Sequence, residues 1–289
     1  MKTLNTTLKV VIIFAVLMYM TINVRPLIKG LDARLLGYML TDKYVQLRQT
    51  EDWSTAKQLR PNLDFGWAAP DQSGTVRIAH ALGAWRSNRD RNTLKALRQS
   101  IAREFVLVEV DLALGSDGKL HCFHGAEGKN VRTPPALFNN NCTLDDIISE
   151  LKLSSFVVVL DLKSDFKLSA KTVAAHVPIS LRNRVVFQLY GPDDIATFNT
   201  LPVGFAGPIV TLYRTFRTVN HLDTELARIG ARVVTVPISR VHEFSTWGAR
   251  RERVLLTHPV ENCAVMLTIR KHGFSGGYSE SNLQCPIFH

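Results

Sequence analysis

"FVLVEVDLALGSDGKLHCFHG", Phe105–Gly125, is the stretch that decides how the rest of the chain folds. As an extended chain it sends Val106, Val108, Val110 and Leu112 to one side, which is wholly apolar. Phe105 and Leu107 open the other side, and Glu109 and Asp111 then follow on it. A strand apolar on both faces is one covered on both faces, as in a parallel sheet under helices. Two carboxylates sent together into such a layer cost free energy on burial and push each other's pKa upward. Either that face is wet, or a positive charge sits between them. "GSDG" then reads as a turn and "KLHCFHG" as a returning strand that delivers His124 thirteen residues after Asp111.

The same alternation runs outward from this stretch. Upstream lie a short strand "VRIAHAL" and a helix "RNTLKALRQSIARE", with Leu94, Leu97 and Ile101 at helical spacing. Downstream, "TLDDIISELK" opens on Thr143, a good N-cap residue, and the strand "FVVVLDLK" follows. Strand and helix then alternate through "RVVFQLYG", "PDDIATFNTL", "GPIVTLY", "LDTELARIG", "RVVTVPIS", "HEFSTWGARRE", "RVLLTHPV" and "ENCAVMLTIRKHG" to "GFSGGYSE". About eight strand–helix units in this span, with no glycine-rich dinucleotide turn after the first strand, predict an α/β fold of the (β/α)8 TIM-barrel type.

Composition sets the outer limits. The 289 residues are 46% hydrophobic and 21% charged, with a formal net charge of +10. That charge favours an anionic partner such as a membrane surface or a phosphorylated substrate. Zinc-finger spacing, a Walker-type loop, CxxC and long basic runs are all missing, so no nucleic-acid partner is expected. "VVIIFAVLMYMTINV", Val10–Val24, approaches the length of a membrane helix and lacks an A-x-A cleavage signature. An uncleaved signal-anchor over residues 1–24 is expected ahead of a cleaved signal peptide, with the following domain outside the cytoplasm. Residues 25–74 then read as a juxtamembrane helix and linker, 75–280 as the barrel and 281–289 as a tail. Four cysteines suit an oxidising compartment. Of the three pairings they allow, Cys122–Cys142 and Cys263–Cys285 each join a core element to a nearby loop or tail.

Chemistry in such a barrel gathers at the C-terminal ends of the strands. There stand His80 after the first strand, Glu109 and Asp111 on the second, and His124 beyond it. Asp161 and Lys163 end the third, Gln188 and Tyr190 the fourth, and His258 the seventh. Glu109, Asp111 and Asp161 make an all-oxygen cage suited to one divalent cation, Mg²⁺ or Ca²⁺, rather than to zinc.

"IAHALG", "NTLKAL", "VEVDLALGSDGKLHCFHG", "LDLK", "VVFQLY" and "RVLLTHPVENCAVMLTIRKHGFSGGYSE" together resemble the glycerophosphodiester phosphodiesterase family of the phospholipase-C-like barrels. The resemblance implies that His80 and His124 are the acid–base pair and that Glu109, Asp111 and Asp161 hold the cation. It implies Lys163 as a phosphate contact, and Asn92, Gln188, Tyr190 and His258 as pocket residues. The implied substrate is a small phosphodiester or a phospholipid head group at a membrane. The sequence also departs from the family pattern. The usual His-Arg-Gly is His80-Ala81-Leu82-Gly83, the Glu before Asn92-Thr93 is Arg91, and the usual His-Asp is His124-Gly125. Arg86, Arg89 and Arg91 are the candidates to replace the missing cation. His124-Gly125 and the cysteines are also reminiscent of sphingomyelinase D-like phospholipases, and a degenerate barrel that only binds head groups is the other alternative.

Overall fold

A computed structural model describes residues 51–83, 91–123, 142–215, 217–245, 247, 253–279 and 285. In chain order the elements are β1 (Val76–Ala79), α1 (Leu94–Ala102), β2 (Leu107–Leu114), β3 (Leu120–Cys122), α2 (Leu144–Leu153) and β4 (Val157–Leu162). They continue with α3 (Phe166–His176), β5 (Val185–Leu189), α4 (Pro192–Thr200), β6 (Ile209–Thr211) and α5 (Val219–Ile229). β7 (Val233–Pro237), β8 (Val254–His258), α6 (Cys263–Lys271) and β9 (Gly276–Ser279) are the last among the described residues. Eight strands run parallel in the order β1-β2-β4-β5-β6-β7-β8-β9, and pairing of β1 with both β2 and β9 closes the barrel. The remaining strand, β3, is an antiparallel hairpin arm on β2. The (β/α)8 barrel expected from the sequence is the fold. The helix expected over 242–252 falls largely outside the described residues.

Local chemistry caps several of the helix starts. Thr93 accepts from the Ala96 N–H at the head of α1. Thr143 and Asp146 form a capping box at α2, Asn262 caps α6, and Pro192 occupies the first turn of α4. Apolar helix faces then cover the outward-pointing strand residues such as Val108, Val110, Leu160 and Phe187. Each such buried side chain contributes about 1.5–3 kcal/mol.

The inside of the barrel changes character along its axis. Ile78, Leu107, Val157, Val186, Val233 and Leu256 form an apolar inner cluster toward the N-terminal ends of the strands. Its open end is plugged from outside by Phe65, Trp67 and Ala68. The Trp67 indole donates to the Gly207 carbonyl at 3.0 Å. Phe65 lies so close over Gly207 that a Cβ there would come within 2.4 Å of the ring, so only glycine lets the plug seat.

Residues 51–74, the second half of the stretch expected as linker, are a packed strap. The Glu51 N–H donates to the Arg214 carbonyl beyond β6 at 2.6 Å, and the Leu59 N–H to Ile229 at 2.9 Å. Trp53 is buried, and Arg228 of α5 donates to the carbonyls of Trp53, Ser54 and Ala56. The strap thus descends from the C-terminal rim to the plug. Both expected disulfides are present, Cys122–Cys142 and Cys263–Cys285, with Cα separations of 5.1 and 5.2 Å. Among the described residues no helix is long and apolar enough to cross a membrane. The apolar run at 10–24 lies outside them.

Candidate active site

Period-two alternation puts the odd-numbered residues of β2 inside the barrel, and the parallel register does the rest. Asp111 pairs with Asp161 across β2 and β4, with Glu109 opposite Val159 one layer below. Carboxylate oxygens of Glu109, Asp111 and Asp161 all lie within 4.8 Å of one another, and all three residues are buried. The Lys163 ammonium sits 3.0 Å from Asp111 Oδ1 and 2.7 Å from Asp161 Oδ2. Burial alone would lower the pKa of Lys163, but Asp161 and Asp111 outweigh it and hold the group charged well above its ordinary range. Among the described residues no ammonium lies as close to Glu109. Burial, then the charges of Asp111 and Asp161, push its pKa well above the carboxylate range.

Against three carboxylates, one ammonium makes contact among the described residues, and Asp161 Oδ1 is buried with no hydrogen-bond partner among them. An orphaned carboxylate oxygen is costly unless a cation meets it. The oxygen-only donor set and its spare charge fit a divalent ion of the Mg²⁺ or Ca²⁺ kind.

The chain contorts to build this cluster. Ala81 and Leu82 follow His80 with φ of 49° and 61°, and Asn92 has φ of 54°. Each is a left-handed conformation that costs a non-glycine residue about 1–2 kcal/mol. The return is visible in the contacts. The Ala81 N–H donates to Glu109 Oε2 at 2.7 Å, and buried Ser100 donates to the Leu82 carbonyl at 2.8 Å. The Asn92 amide donates to Asp111 Oδ2 at 2.8 Å while its Oδ1 accepts from the Asp111 N–H at 3.0 Å. Strain of this kind collects at functional sites.

His80 Nε2 lies 4.0 Å from Glu109 Oε2 with its side chain 15% exposed. Burial lowers the imidazole pKa to about 4; Asp111 opposes this, while Arg91 and Lys163 add to it. His258 packs on His80 with ring centroids 4.2 Å apart, and Tyr278 and Tyr213 flank His258. Tyr190 donates its hydroxyl to Asp161 Oδ2 at 2.7 Å. Burial and then the Asp161 charge raise that phenol well above its usual pKa.

The structure therefore brings together His80, Glu109, Asp111, Asp161, Lys163, Tyr190 and His258. Asn92 is 2% exposed and spends its amide on Asp111, so it supports the cluster rather than lining a pocket. Gln188, also buried, accepts from the Thr211 hydroxyl at 3.2 Å. Lys163, expected as a phosphate contact, is engaged by two carboxylates. His124, Arg86 and Arg89 lie outside the described residues. Tyr213 and Tyr278 were missed by the sequence reading. Their only signal is a position at the C-terminal end of an inward-facing strand, which holds for a core tyrosine as well.

No family model matches the sequence, and no curated protein does. Solved structures do match. A glycerophosphodiester phosphodiesterase from Thermotoga maritima is 14% identical, with a TM-score of 0.54 over 71% of this chain and 94% of that one. One from Parabacteroides distasonis ATCC 8503 is 16% identical, with a TM-score of 0.56 over 71% and 92%. An Oleispira antarctica phosphodiesterase, solved with its product sn-glycerol-3-phosphate, is 17% identical, with a TM-score of 0.54 over 71% and 92%. At these identities the likeness is one of fold, and the chain shares the barrel of the glycerophosphodiester phosphodiesterases.

Proposed function

We propose that this chain is a metal-dependent phosphodiesterase that hydrolyses glycerophosphodiesters or phospholipid head-group phosphodiesters. The observation that carries the reading is the trio Glu109, Asp111 and Asp161 converging at the C-terminal mouth beside His80, with Asp161 Oδ1 unpartnered. Bound by these three carboxylates, Mg²⁺ or Ca²⁺ would act as a Lewis acid on the phosphoryl oxygens. His80, with a pKa of about 4, is neutral at pH 7 and able to take a proton on Nε2. It removes the proton of the attacking hydroxyl as the new P–O bond forms. His124, the other half of the expected pair, would give a proton to the departing alkoxide as the old P–O bond breaks. Lys163 and Tyr190 hold Asp111 and Asp161 in place through the step.

The rest of the reading concerns location. The apolar run at 10–24 would anchor the chain in a membrane, with the barrel on its extracytoplasmic side. Two disulfides support an oxidising compartment, and the charge of +10 supports an anionic surface.

The test is hydrolysis of a panel by the full chain with Mg²⁺, with Ca²⁺ and with a chelator. The panel holds glycerophosphodiesters, lysophospholipids and sphingomyelin, with products followed by phosphorus NMR. Metal-dependent turnover that His80→Ala abolishes is the expected result. Folded protein that hydrolyses nothing on the panel would assign the barrel to head-group binding instead.

A further inference from the structure

We propose that Arg91 supplies the guanidinium that grips the phosphoryl group, taking the place of the arginine that the family pattern has at position 81. This rests on the phosphodiesterase reading above. The argument begins with charge. Lys163 commits two of its three N–H donors to Asp111 and Asp161, and its side chain is only 10% exposed. One divalent ion would use up the charge that remains on the carboxylates. An incoming phosphodiester brings a further negative charge into this pocket, and its transition state brings more, so another cation is required.

Position 81 cannot provide it. Ala81 ends at a methyl group, and its N–H is already given to Glu109 at 2.7 Å. Yet the next part of the chain returns to this point. The Asn92 N–H donates to the Ala81 carbonyl at 2.8 Å, and the Asn92 side chain is locked to Asp111 at both ends. The backbone at Arg91 is thereby held beside the Ala81 turn, and the residue is half-buried. Among cations, the charge of Arg91 is felt at His80 ahead of that of Lys163. The family pattern's Arg at 81 and Glu at 91 have become Ala81 and Arg91. Planar guanidinium suits a phosphoryl group because it offers two parallel N–H donors.

The experiment uses the full chain with Mg²⁺ and compares Arg91→Ala, Arg91→Lys and the parent. Two readouts are taken: hydrolysis of the panel substrate the parent turns over fastest, and binding of inorganic phosphate by phosphorus NMR titration. Arg91→Ala is expected to lower kcat/KM about 100-fold and to weaken phosphate at least about tenfold. Arg91→Lys should fall between the two, and added guanidinium chloride should recover part of the loss in Arg91→Ala but none in His80→Ala. Kinetics and phosphate affinity within about threefold of the parent would overturn the assignment. So would a loss of activity with unchanged phosphate affinity and no guanidinium rescue, the pattern of a merely structural residue. If Arg91→Ala fails to fold, Arg91→Lys decides: phosphate binding weaker than the parent's supports the guanidinium, and binding equal to the parent's, or loss of fold there too, overturns it. A parent that binds phosphate but hydrolyses nothing refutes the phosphodiesterase reading, and the phosphate titration still decides Arg91.

Discussion

The two ends of this barrel are built from the same eight strands by opposite physics. At the N-terminal end, Leu107, Val157, Val186 and Leu256 meet a plug of Phe65, Trp67 and Ala68. The inner layer there is apolar, with charge only outside the plug, where Arg232 lies over the Phe65 ring, and Gly207 lets that ring come closer. At the C-terminal end, the same strands carry three buried carboxylates, one paired ammonium and a histidine driven neutral by burial. One end lowers the free energy of the fold, and the other raises it. The difference teaches where to look for function: stability and chemistry occupy opposite ends of the same strands.

Substitutions at the two ends should separate cleanly. Glu109→Gln should have the largest effect, lowering kcat/KM on the order of 1000-fold or more. Without metal the same variant should melt higher than the parent, because it removes a buried like charge and keeps an acceptor for Ala81. A melting curve and a rate assay on one sample check both signs; a lower melting temperature would mean that Glu109 is not strained in the metal-free fold. Trp67→Ala, at the plug, should cost about 3 kcal/mol of stability, with kcat per folded molecule unchanged, as denaturant titration and active-site counting would show. Saturating Mg²⁺ or Ca²⁺ should stabilise the parent by about 2.7 kcal/mol at one hundred times the dissociation constant. It should do nothing for Glu109→Gln in the same calorimeter. Away from both ends, Arg98 pairs with Glu150 on the outer helices with its own side chain 65% exposed. Arg98→Ala should cost no more than about 0.5 kcal/mol, and a larger loss would blur the distinction between surface and ends.

Much of the site was legible because strands are periodic. Glu109 and Asp111 share a face by alternation alone, and "LDLK" puts Asp161 and Lys163 on one face for the same reason. His80 and His258 were legible as polar residues at strand ends, where apolar ones are usual. Partnership was not legible. Lys163 reads as a phosphate contact until the register of β2 and β4 shows it caught between two aspartates. Asn92 reads as a pocket residue until its amide is seen on Asp111. The strap over 51–74 reads as a linker because its apolar residues follow no period; they are spaced to fit the outside of a finished barrel.

By itself the sequence determined the strand faces and the fold class, since these depend on patterns of neighbours within a few residues. It determined as well that acids would be buried together, since alternation leaves them no other direction. Only the tertiary structure decided what stands across from each of them. That the Ala81 backbone serves Glu109, that Arg91 returns to the Ala81 turn, and that His258 lies on His80 are contacts between distant segments. Their geometry is set by closure of the barrel, which no local pattern encodes.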